Sequence, residues 1–362
     1  MKKKINALIY APAPPQPPGG IGSLVAMLYY EWVQRTDVCF VSPQVKETGW
    51  VAKIIRPLFN LVKLAFVTKQ VNKGGRVLFF SSAGNSFFEK LAWSLLVILM
   101  GRKPSLVMVD GNFPSFWDKC HPVLRKWSSK ILCNPRLELG AQSEGWREYY
   151  RSIFPLASIK VIGATVAPEF FERTPQLSSP LRNSTILYVG WIIPEKGVVD
   201  LLDAMEILCA THPEARLRLV GPLFGKEVYW NRASSDRGIS TQVEYVGSIS
   251  NRQRLIDEFD AASIFVFPSH FEGFPVALLE AITMGIACVG TSVGGIPDIL
   301  DHGKAGIVVA PKSPMELANA LKILLEDHSL VEKLSKQASM RARSVYSHSA
   351  CIESYKNLLG LK

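Results

Sequence analysis

The stretch Phe267–Ala281 places two carboxylates around the predicted start of a helix. Pro275 is expected to be the first helical residue, because proline is favoured at that position. Glu272 then lies just before the helix, beside its free N–H groups, and Glu280 lies on the helix body among apolar neighbours. An ionised carboxylate accepts hydrogen bonds and can take both hydroxyls of a ribose, so Glu280 is a candidate ribose ligand. The structural alternatives are a salt bridge for Glu280 and a helix cap for Glu272.

Lys196 precedes a second predicted helix and could bind a phosphate. A predicted strand ends at Gly190, Trp191 follows, and Lys196-Gly197 stands at the start of the helical stretch Val198–Ala210. A lysine at this point combines a point charge with the positive end of the helix, which suits an anion. A lysine that is only solvated is the alternative.

Two glycine-rich segments offer backbone N–H groups to an anion. Gly20 and Gly22 match the dinucleotide fingerprint GxGxxG only in part, because Val25 stands where the third glycine belongs and a proline-rich loop follows the first strand. The sequence therefore argues against a nicotinamide site and against an oxidoreductase. The start of the helix is still a candidate for binding an anion through its N–H groups. Gly290–Asp298 repeats a strand–glycine–proline–helix pattern and is a second candidate for backbone anion binding. A plain turn is the alternative for both segments.

These motifs are positioned by strands that alternate with helices along the chain. Short apolar strands are predicted in a first series at Ile5–Tyr10, Val38–Val41, Arg76–Phe80, Leu106–Val109, Lys130–Cys133 and Lys160–Ile162. A second series is predicted at Thr185–Val189, Arg216–Val220, Val243–Val246, Ile264–Phe267, Ala287–Gly290 and Ile307–Val309. Helices are predicted between them, among others at Val198–Ala210, Arg252–Asp260, Pro275–Thr283 and Pro314–Leu325. Buried strands alternating with helices predict an α/β protein with parallel sheets, and the two series predict two Rossmann-like domains with ligands at the carboxyl ends of the strands.

The boundary between the two domains is expected near residues 167–183, where three prolines and paired serines make the sequence linker-like. The N-terminal domain is therefore predicted to span residues 1–166 and the C-terminal domain residues 167–345. A terminal helix at about 346–362 is expected to pack back on the N-terminal domain.

The composition excludes several classes of protein. With 362 residues, 48% of them hydrophobic, the chain is too apolar for a disordered protein and long enough for two domains. Its six cysteines are scattered, without a CxxC pair or a cysteine–histidine cluster at zinc spacing. Neither a structural zinc site nor a secreted disulfide scaffold is therefore predicted, and a cytoplasmic location fits best. The basic N-terminus is interpreted as the start of a buried strand, because its apolar run is short and enters a proline-rich stretch.

The net charge of +10 is unevenly distributed. Residues 1–180 contain 23 Lys and Arg against 11 Asp and Glu, whereas residues 181–362 contain 18 against 20. Trp50–Phe66 interleaves cations with large apolar residues, and Leu91–Met100 is an apolar run about half as long as the ~20 residues that a spanning helix needs. Such stretches are typical of an interfacial helix on anionic lipid or of a core helix with solvated flanks. We favour the first interpretation, and expect no nucleic acid partner because no nucleic-acid-binding motif is found.

In combination, these motifs resemble glycosyltransferase family 4. The resemblance is carried by Gly190 with Lys196-Gly197, by Glu272-Gly273-Phe274-Pro275 with Glu280-Ala281, and by Gly294-Gly295-Ile296-Pro297. It extends over nearly the whole chain and is strongest over residues 185–345. The family implies the GT-B architecture, in which two Rossmann-like parallel-sheet domains face each other across a cleft. It also implies retaining, metal-independent transfer from a UDP- or GDP-linked sugar, with no cofactor.

The resemblance also implies roles for individual residues. Lys196 would bind the donor diphosphate, Glu272 would contact the donor sugar hydroxyls, and Glu280 would bind the ribose. The predicted catalytic residues are Glu272, Lys196 and Asp110. The predicted donor-binding residues are Gly20, Gly22, Gly190, Trp191, Lys196, His270, Gly273, Phe274, Pro275, Val276 and Glu280. No residue is predicted to bind a metal.

Two positions depart from the family pattern. Trp191 stands where the family usually has an arginine, so one cation of the phosphate clamp is missing or supplied elsewhere. Asp110 stands where the family often has a histidine that contacts sugar or acceptor, and it would act there with different chemistry, for example as a base.

The resulting prediction is a hexosyltransferase that acts on a saccharide acceptor. We expect the acceptor to be lipid-linked, in bacterial polysaccharide or lipopolysaccharide assembly, with the protein peripheral on the inner face of the plasma membrane. Two alternatives stay open. One is a non-catalytic nucleotide-sugar-binding subunit, and the other is a soluble glycosyltransferase acting on a small metabolite or a protein.

Overall fold

The computed structural model describes residues 5–11, 20–43, 50–173, 184–225 and 227–361. The chain divides into two units, Met1–Ala164 with Ser349–Lys362, and Thr165–His348. The predicted boundary after residue 166 falls close to this division. Most of the predicted linker, residues 174–183, lies outside the described residues, and its first part contains a short helix.

Each unit contains a six-stranded sheet in which all paired strands are parallel. The strands of the first unit are β1 (Ile5–Tyr10), β2 (Val38–Val41), β3 (Val71–Ser81), β4 (Lys103–Met108), β5 (Glu138–Ala141) and β6 (Ser158–Val161). Those of the second unit are β7 (Thr185–Val189), β8 (Arg216–Val220), β9 (Val243–Gly247), β10 (Ile264–Phe267), β11 (Ala287–Thr291) and β12 (Ile307–Val309). The sheet orders are β2-β1-β3-β4-β5-β6 and β12-β11-β10-β7-β8-β9. The predicted α/β class with two Rossmann-like domains is confirmed.

Helices separate most of the strands. Those of the first half of the chain are α1 (Gly20–Trp32), α2 (Trp50–Thr68), α3 (Asn85–Leu99), α4 (Phe113–Lys119), α5 (Pro122–Leu132), α6 (Glu144–Ile153) and α7 (Pro168–Glu172). Those of the second half are α8 (Val198–Cys209), α9 (Glu227–Asp236), α10 (Arg252–Ala261), α11 (Val276–Thr283), α12 (Ile296–Ile299), α13 (Pro314–Glu326), α14 (His328–Val345) and α15 (His348–Leu359).

The sheet of the first unit has a hydrophobic core on each face. Leu8 and Tyr10 of β1 belong to a large cluster with aromatic residues of α3, α4 and α6. Ala7 and Ile9, which point the other way because strand side chains alternate, pack with residues of α1 and α15. The terminal helix therefore forms part of the first unit, where it buries apolar side chains against the sheet.

One predicted strand of the first unit is wrong, and one strand was missed. Lys130–Cys133 is not a strand, because Lys130 to Leu132 form the last turn of α5, a helix that begins at Pro122 and is capped by the His121 side chain. The missed strand is β5, whose sequence starts with a glutamate and contains a glycine, so it lacks the continuous apolar run typical of a buried strand. In the second unit all predicted strands are present, with ends that differ by no more than one residue.

The two apolar stretches of the first unit are used differently. All of Leu91–Met100 except its last residue lies in α3, where Leu91, Val97 and other residues are buried in the core, so the interfacial interpretation is wrong for most of this run. The described part of α2 instead exposes Phe59, Val62 and Phe66 by 48%, 63% and 68%. Within the described part of the chain, none of the helices is long and apolar enough to cross a membrane.

Candidate functional site

The order in which the strands follow one another in the second sheet reverses between β7 and β10. These strands are neighbours, yet the chain continues from β7 to β8 and β9 on one side and from β10 to β11 and β12 on the other. In open parallel sheets such a switch point leaves a crevice at the carboxyl ends of the strands, and ligands bind there. The connection after β7 carries Lys196, and the connection after β10 carries Glu272. The residues predicted to bind phosphate and sugar thus follow the two strands that define the switch point.

Lys196 and Glu272 form an ion pair with each other. The Lys196 Nζ lies 2.6 Å from Oε2 of Glu272 and 3.4 Å from the carbonyl oxygen of Phe271. The other carboxylate oxygen, Oε1, accepts the N–H of Gly273 at 3.2 Å. Both side chains of the ion pair retain some exposure to solvent. A cation and an acceptor of hydroxyl hydrogen bonds are therefore held side by side.

The two connections approach each other closely at a glycine. Gly197 has φ of +72°, and a Cβ atom at this position would lie 1.9 Å from the carbonyl oxygen of Pro268. The N–H of His270 donates a hydrogen bond to the carbonyl of Glu195 at 3.1 Å. Only glycine tolerates this close backbone contact, so the local geometry requires the glycine that follows Lys196.

The side chain of His270 is engaged within the protein. Its Nε2 lies 2.5 Å from Oδ2 of Asp200, which stands in the first turn of α8. Sequence reasoning predicted His270 as a donor-binding residue and missed Asp200. No local signal could have found this contact, because the two residues are 70 positions apart in the chain.

The second glycine-rich segment supports the turn that carries Glu272. Gly294 has φ of +54°, and a Cβ there would lie 1.8 Å from the carbonyl oxygen of Glu272. The N–H of Gly295 donates to the carbonyl of Gly273 at 2.9 Å. Phe274 is buried, with its ring 5.6 Å from that of Tyr346. The position of the Glu272 turn is thus determined by backbone contacts with the next connection of the sheet.

Helix α11 starts one residue later than predicted. Pro275 has an extended ψ of 110° and is the residue before the helix, and its carbonyl accepts the N–H of Leu279 at 3.2 Å. The first helical residue is Val276. The backbone N–H groups of this first turn have no intrahelical acceptor and carry the positive end of the helix dipole. This first turn begins four residues after Glu272, so its N–H groups can donate to an anion bound beside the turn that carries Glu272.

Glu280 is a partly buried carboxylate. Among the described residues, none forms a hydrogen bond or ion pair with its side chain. Burial raises the pKa of Glu280 to about 8, and the charge of Arg252 opposes this increase. A carboxylate removed from water without a partner is unfavourable, so a ligand hydroxyl that donates to it would be stabilised.

Trp191 presents an aromatic surface at the end of β7. Its side chain is 56% exposed, and its ring lies 5.0 Å from the ring of Phe224, which follows β8 and is also exposed. Its carbonyl accepts the hydroxyl of the buried Tyr188 at 2.8 Å. A Cβ at Gly190 would lie 2.7 Å from that hydroxyl oxygen, which explains the glycine. Sequence reasoning missed Phe224 and Tyr188.

Residues 170–341 match the sequence profile of the family described as glycosyl transferases group 1. These residues, slightly less than half of the chain, carry the domain of this family. The matched residues include Lys196, Glu272 and Glu280. The expected resemblance to glycosyltransferase family 4 is therefore confirmed over these residues.

Curated relatives align with part of the chain. A glycogen synthase of Mycobacterium tuberculosis is 30% identical over 161 residues, which are 44% of this chain and 38% of that protein. The capsular polysaccharide biosynthesis glycosyltransferase CapM of Staphylococcus aureus is 28% identical over 165 residues, 46% of this chain and 43% of that protein. The chain thus spans about two fifths of the length of these relatives.

A solved structure covers nearly the whole chain. Alr3699/HepE of Anabaena, in complex with UDP, superimposes with a TM-score of 0.75 over 99% of this chain and 100% of that one, at 16% identity. At this identity the likeness shows the fold, which is GT-B.

The remaining predicted site residues lie in the first unit. Gly20 and Gly22 are in the first turn of α1. Asp110 follows β4 and accepts the N–H of Ala83 through Oδ2 at 2.9 Å and the N–H of Asn112 through Oδ1 at 2.8 Å. Both carboxylate oxygens therefore hold the connections after β3 and β4, and a catalytic role for Asp110 stays a prediction.

Proposed function

We propose that this chain is a retaining glycosyltransferase that moves a hexose-type sugar from a nucleoside-diphosphate sugar to a saccharide acceptor. The observation that carries the proposal is the ion pair of Lys196 with Glu272 beside the β7–β10 switch point, followed along the chain by Glu280 on α11, to which no described residue donates a hydrogen bond. These three side chains supply what a nucleoside-diphosphate sugar requires, a cation for the diphosphate and acceptors for sugar and ribose hydroxyls.

Donor binding rearranges the existing ion pair. The Lys196 ammonium, which now contacts Oε2 of Glu272, bonds instead to a diphosphate oxygen, and Glu272 is then available to accept hydroxyls of the sugar. Glu280 accepts the two ribose hydroxyls and gains hydrogen bonds that no described residue provides. The exchange replaces one charge pair by several, so its net cost is small.

The chemical step breaks the bond between the anomeric carbon and the diphosphate oxygen. Negative charge then grows on the leaving diphosphate, and Lys196 with the N–H groups of the first turn of α11 stabilises it through oriented dipoles. An acceptor hydroxyl forms the new bond from the face that the diphosphate leaves, and its proton passes to a departing phosphate oxygen. The configuration at the anomeric carbon is thereby retained.

Trp191 leaves Lys196 as the cation of this connection. The exposed rings of Trp191 and Phe224 provide an apolar surface where the family usually has a guanidinium. The Lys196→Ala variant should therefore lose most of its donor affinity, because the other arm of the phosphate clamp is not a cation.

The acceptor is proposed to be lipid-linked, in bacterial polysaccharide or lipopolysaccharide assembly. Support comes from the excess of cations in residues 1–180 and from α2, whose exposed Phe59, Val62 and Phe66 share one face at helical spacing. Lys69 and Lys73 follow this face and are exposed. Apolar side chains beside cations suit the surface of an anionic bilayer, so the protein would be peripheral on the cytoplasmic face of the plasma membrane.

The proposed reaction is tested with a panel of UDP- and GDP-sugars. Thermal shift identifies donors that stabilise the protein, and release of nucleoside diphosphate with a lipid-linked acceptor measures turnover. Lys196→Ala should abolish turnover, whereas the control Lys304→Ala, which removes a well-exposed lysine of the same unit, should not. Donor binding without turnover with any acceptor would favour a non-catalytic subunit, and a water-soluble product would favour the small-metabolite alternative.

Membrane association is tested with vesicles of phosphatidylglycerol and phosphatidylcholine. Binding should weaken with salt and be lost in the double variant Val62→Asp, Phe66→Asp. Leu156→Asp is a matched control, because Leu156 is an exposed apolar residue of the first unit outside α2. Equal loss in both variants would remove α2 from the proposal.

A further inference from the structure

The connections after β7 and β10 are joined at several points besides the ion pair. A backbone hydrogen bond runs from His270 to Glu195, and Gly197 closely contacts Pro268. These contacts hold the two connections next to each other. The 2.5 Å contact between His270 and Asp200 adds a link between side chains. Both side chains of this link are more than three quarters shielded from solvent, with relative exposures of 15% and 19%.

The His270–Asp200 link flanks the pair that would bind the donor. Asp200 stands four residues after Lys196, in the first turn of α8, and His270 stands two residues before Glu272. Lys196 itself ends a three-residue 3₁₀ turn, Pro194–Lys196, which is too short to hold a long side chain by its own packing. The position of α8 relative to the β10 connection therefore contributes, together with the contacts of the ammonium itself, to where the Lys196 ammonium lies.

We propose that Asp200 and His270 are positioning residues, which hold Lys196 at the diphosphate site by tying α8 to the β10 connection. The inference rests on the proposed function, since it concerns the same donor. It assigns the imidazole to the protein rather than to the sugar, in contrast to the role that its place in the motif predicts. Without the link, Lys196 would spend part of its time away from the anion, and the nucleoside diphosphate would bind more weakly.

The chain offers a matched control on the same helix. Asp203 lies one turn further along α8. Its carboxylate accepts a hydrogen bond from Arg237, the residue directly after α9, at 2.7 Å, and so links α8 to a different element. Removing either aspartate breaks one charge-assisted contact of α8, but Asp200 alone is linked to the segment that carries Glu272. Asp200→Ala and Asp203→Ala should therefore lower thermal stability by similar amounts and differ in nucleotide binding.

The experiment measures binding of UDP and of GDP to the full chain by calorimetry. For the nucleotide that binds, Asp200→Ala and His270→Ala should each weaken binding by about three- to tenfold, while Asp203→Ala leaves it within about twofold. His270→Gln should restore most of the affinity, because the amide nitrogen of glutamine replaces Nε2 as a donor to Asp200.

A double-mutant cycle separates positioning from direct contact. If His270 acts through Lys196, the His270→Ala substitution has little further effect, less than about twofold, in a Lys196→Ala background. The same loss in both backgrounds, or no loss in the wild-type background, would overturn the proposal. A wild-type chain that binds neither nucleotide would overturn the proposed function itself and this inference with it, a result distinct from the other two.

Discussion

Two shielded glutamates, one in each unit, are treated in opposite ways. Glu138, the first residue of β5, is 6% exposed and bonds to Arg76 at 2.7 Å, to Lys160 at 3.4 Å and to the Ser158 hydroxyl at 3.0 Å. Glu280 on α11 has a pKa raised to about 8 by burial and receives no hydrogen bond or ion pair from any residue that the structure describes.

The difference separates a structural carboxylate from one that is available to a ligand. Glu138 joins β3, β5 and β6 through charged partners, so its burial is compensated within the folded chain. Glu280 is partly buried without a hydrogen bond or ion pair from the described residues, so its ionised form is less favourable in the folded chain than in water. A free-energy cost at a defined position is typical of binding sites, where the ligand provides the missing hydrogen bonds.

The largest effect is expected for Glu138→Ala. The substitution leaves Arg76, whose side chain is only 17% exposed, without its closest carboxylate, and removing one partner of a buried pair typically costs about 3–5 kcal/mol. Urea denaturation should show this decrease in the free energy of unfolding. The control Glu144→Ala removes an exposed carboxylate paired with Arg147 in the same unit and should cost less than about 1 kcal/mol. Similar values for the two variants would contradict the structural role of Glu138.

Glu280→Gln should have the opposite profile. The substitution preserves the shape and keeps the side chain neutral, so the free energy of unfolding should stay the same or rise at pH 9, where the wild-type Glu280 is largely ionised. At this pH the nucleoside diphosphate affinity should fall by about 10- to 100-fold, because a hydrogen bond to a charged acceptor contributes about 1.5–3 kcal/mol. The matched ligand is the 2′-deoxy nucleotide, which lacks one hydroxyl and should show a smaller difference between the two proteins. A loss of stability without loss of affinity would place Glu280 with Glu138.

The sequence predicted the second unit better than the first, for physical reasons. Strands such as Ile264–Phe267 are buried on both faces, so they are continuously apolar and easy to find. β5 is also buried, but its charge is compensated by Arg76, which is distant in the chain. A pattern of hydrophobicity cannot indicate such a strand, and the prediction of Lys130–Cys133 took its place.

The candidate site shows the same limit. Lys196 and Glu272 could be assigned because each lies in a local motif after a strand, and the sheet topology then brings them to 2.6 Å from each other. The pairing of His270 with Asp200 depends on how α8 packs against the β10 connection, so the motif alone suggested a ligand role instead. The local motifs thus predict which residues follow the ends of the strands. Packing decides which of their side chains remain free for a ligand.

The pH dependence of Glu280 sharpens the comparison further. Its pKa in the folded protein, about 8, is higher than the ordinary value of 4.5, so the folded state holds a proton that the unfolded state has released between these pH values. Stability should therefore fall as pH rises from about 5 to 8. Nucleotide hydroxyls bind the ionised form, so affinity should rise by about tenfold between pH 7 and pH 9. Calorimetry on the wild type and Glu280→Gln tests this, because the variant should show no such increase.

The smallest effect is expected for Lys160→Ala. Lys160 is 41% exposed and contacts Glu138 at 3.4 Å, and such an exposed partner is typically worth less than about 1 kcal/mol. Arg76 and the Ser158 hydroxyl still satisfy the carboxylate when Lys160 is removed. The Lys160 ammonium also donates to the carbonyl of Asn357 at 3.0 Å, so Lys160→Met, which keeps the apolar stem, is the control for lost packing. If either variant destabilised the protein as much as Glu138→Ala, Glu138 would depend on all of its partners together. The partners of Glu138 would then compensate for the burial of its carboxylate cooperatively, and one buried cation would not be enough to do so.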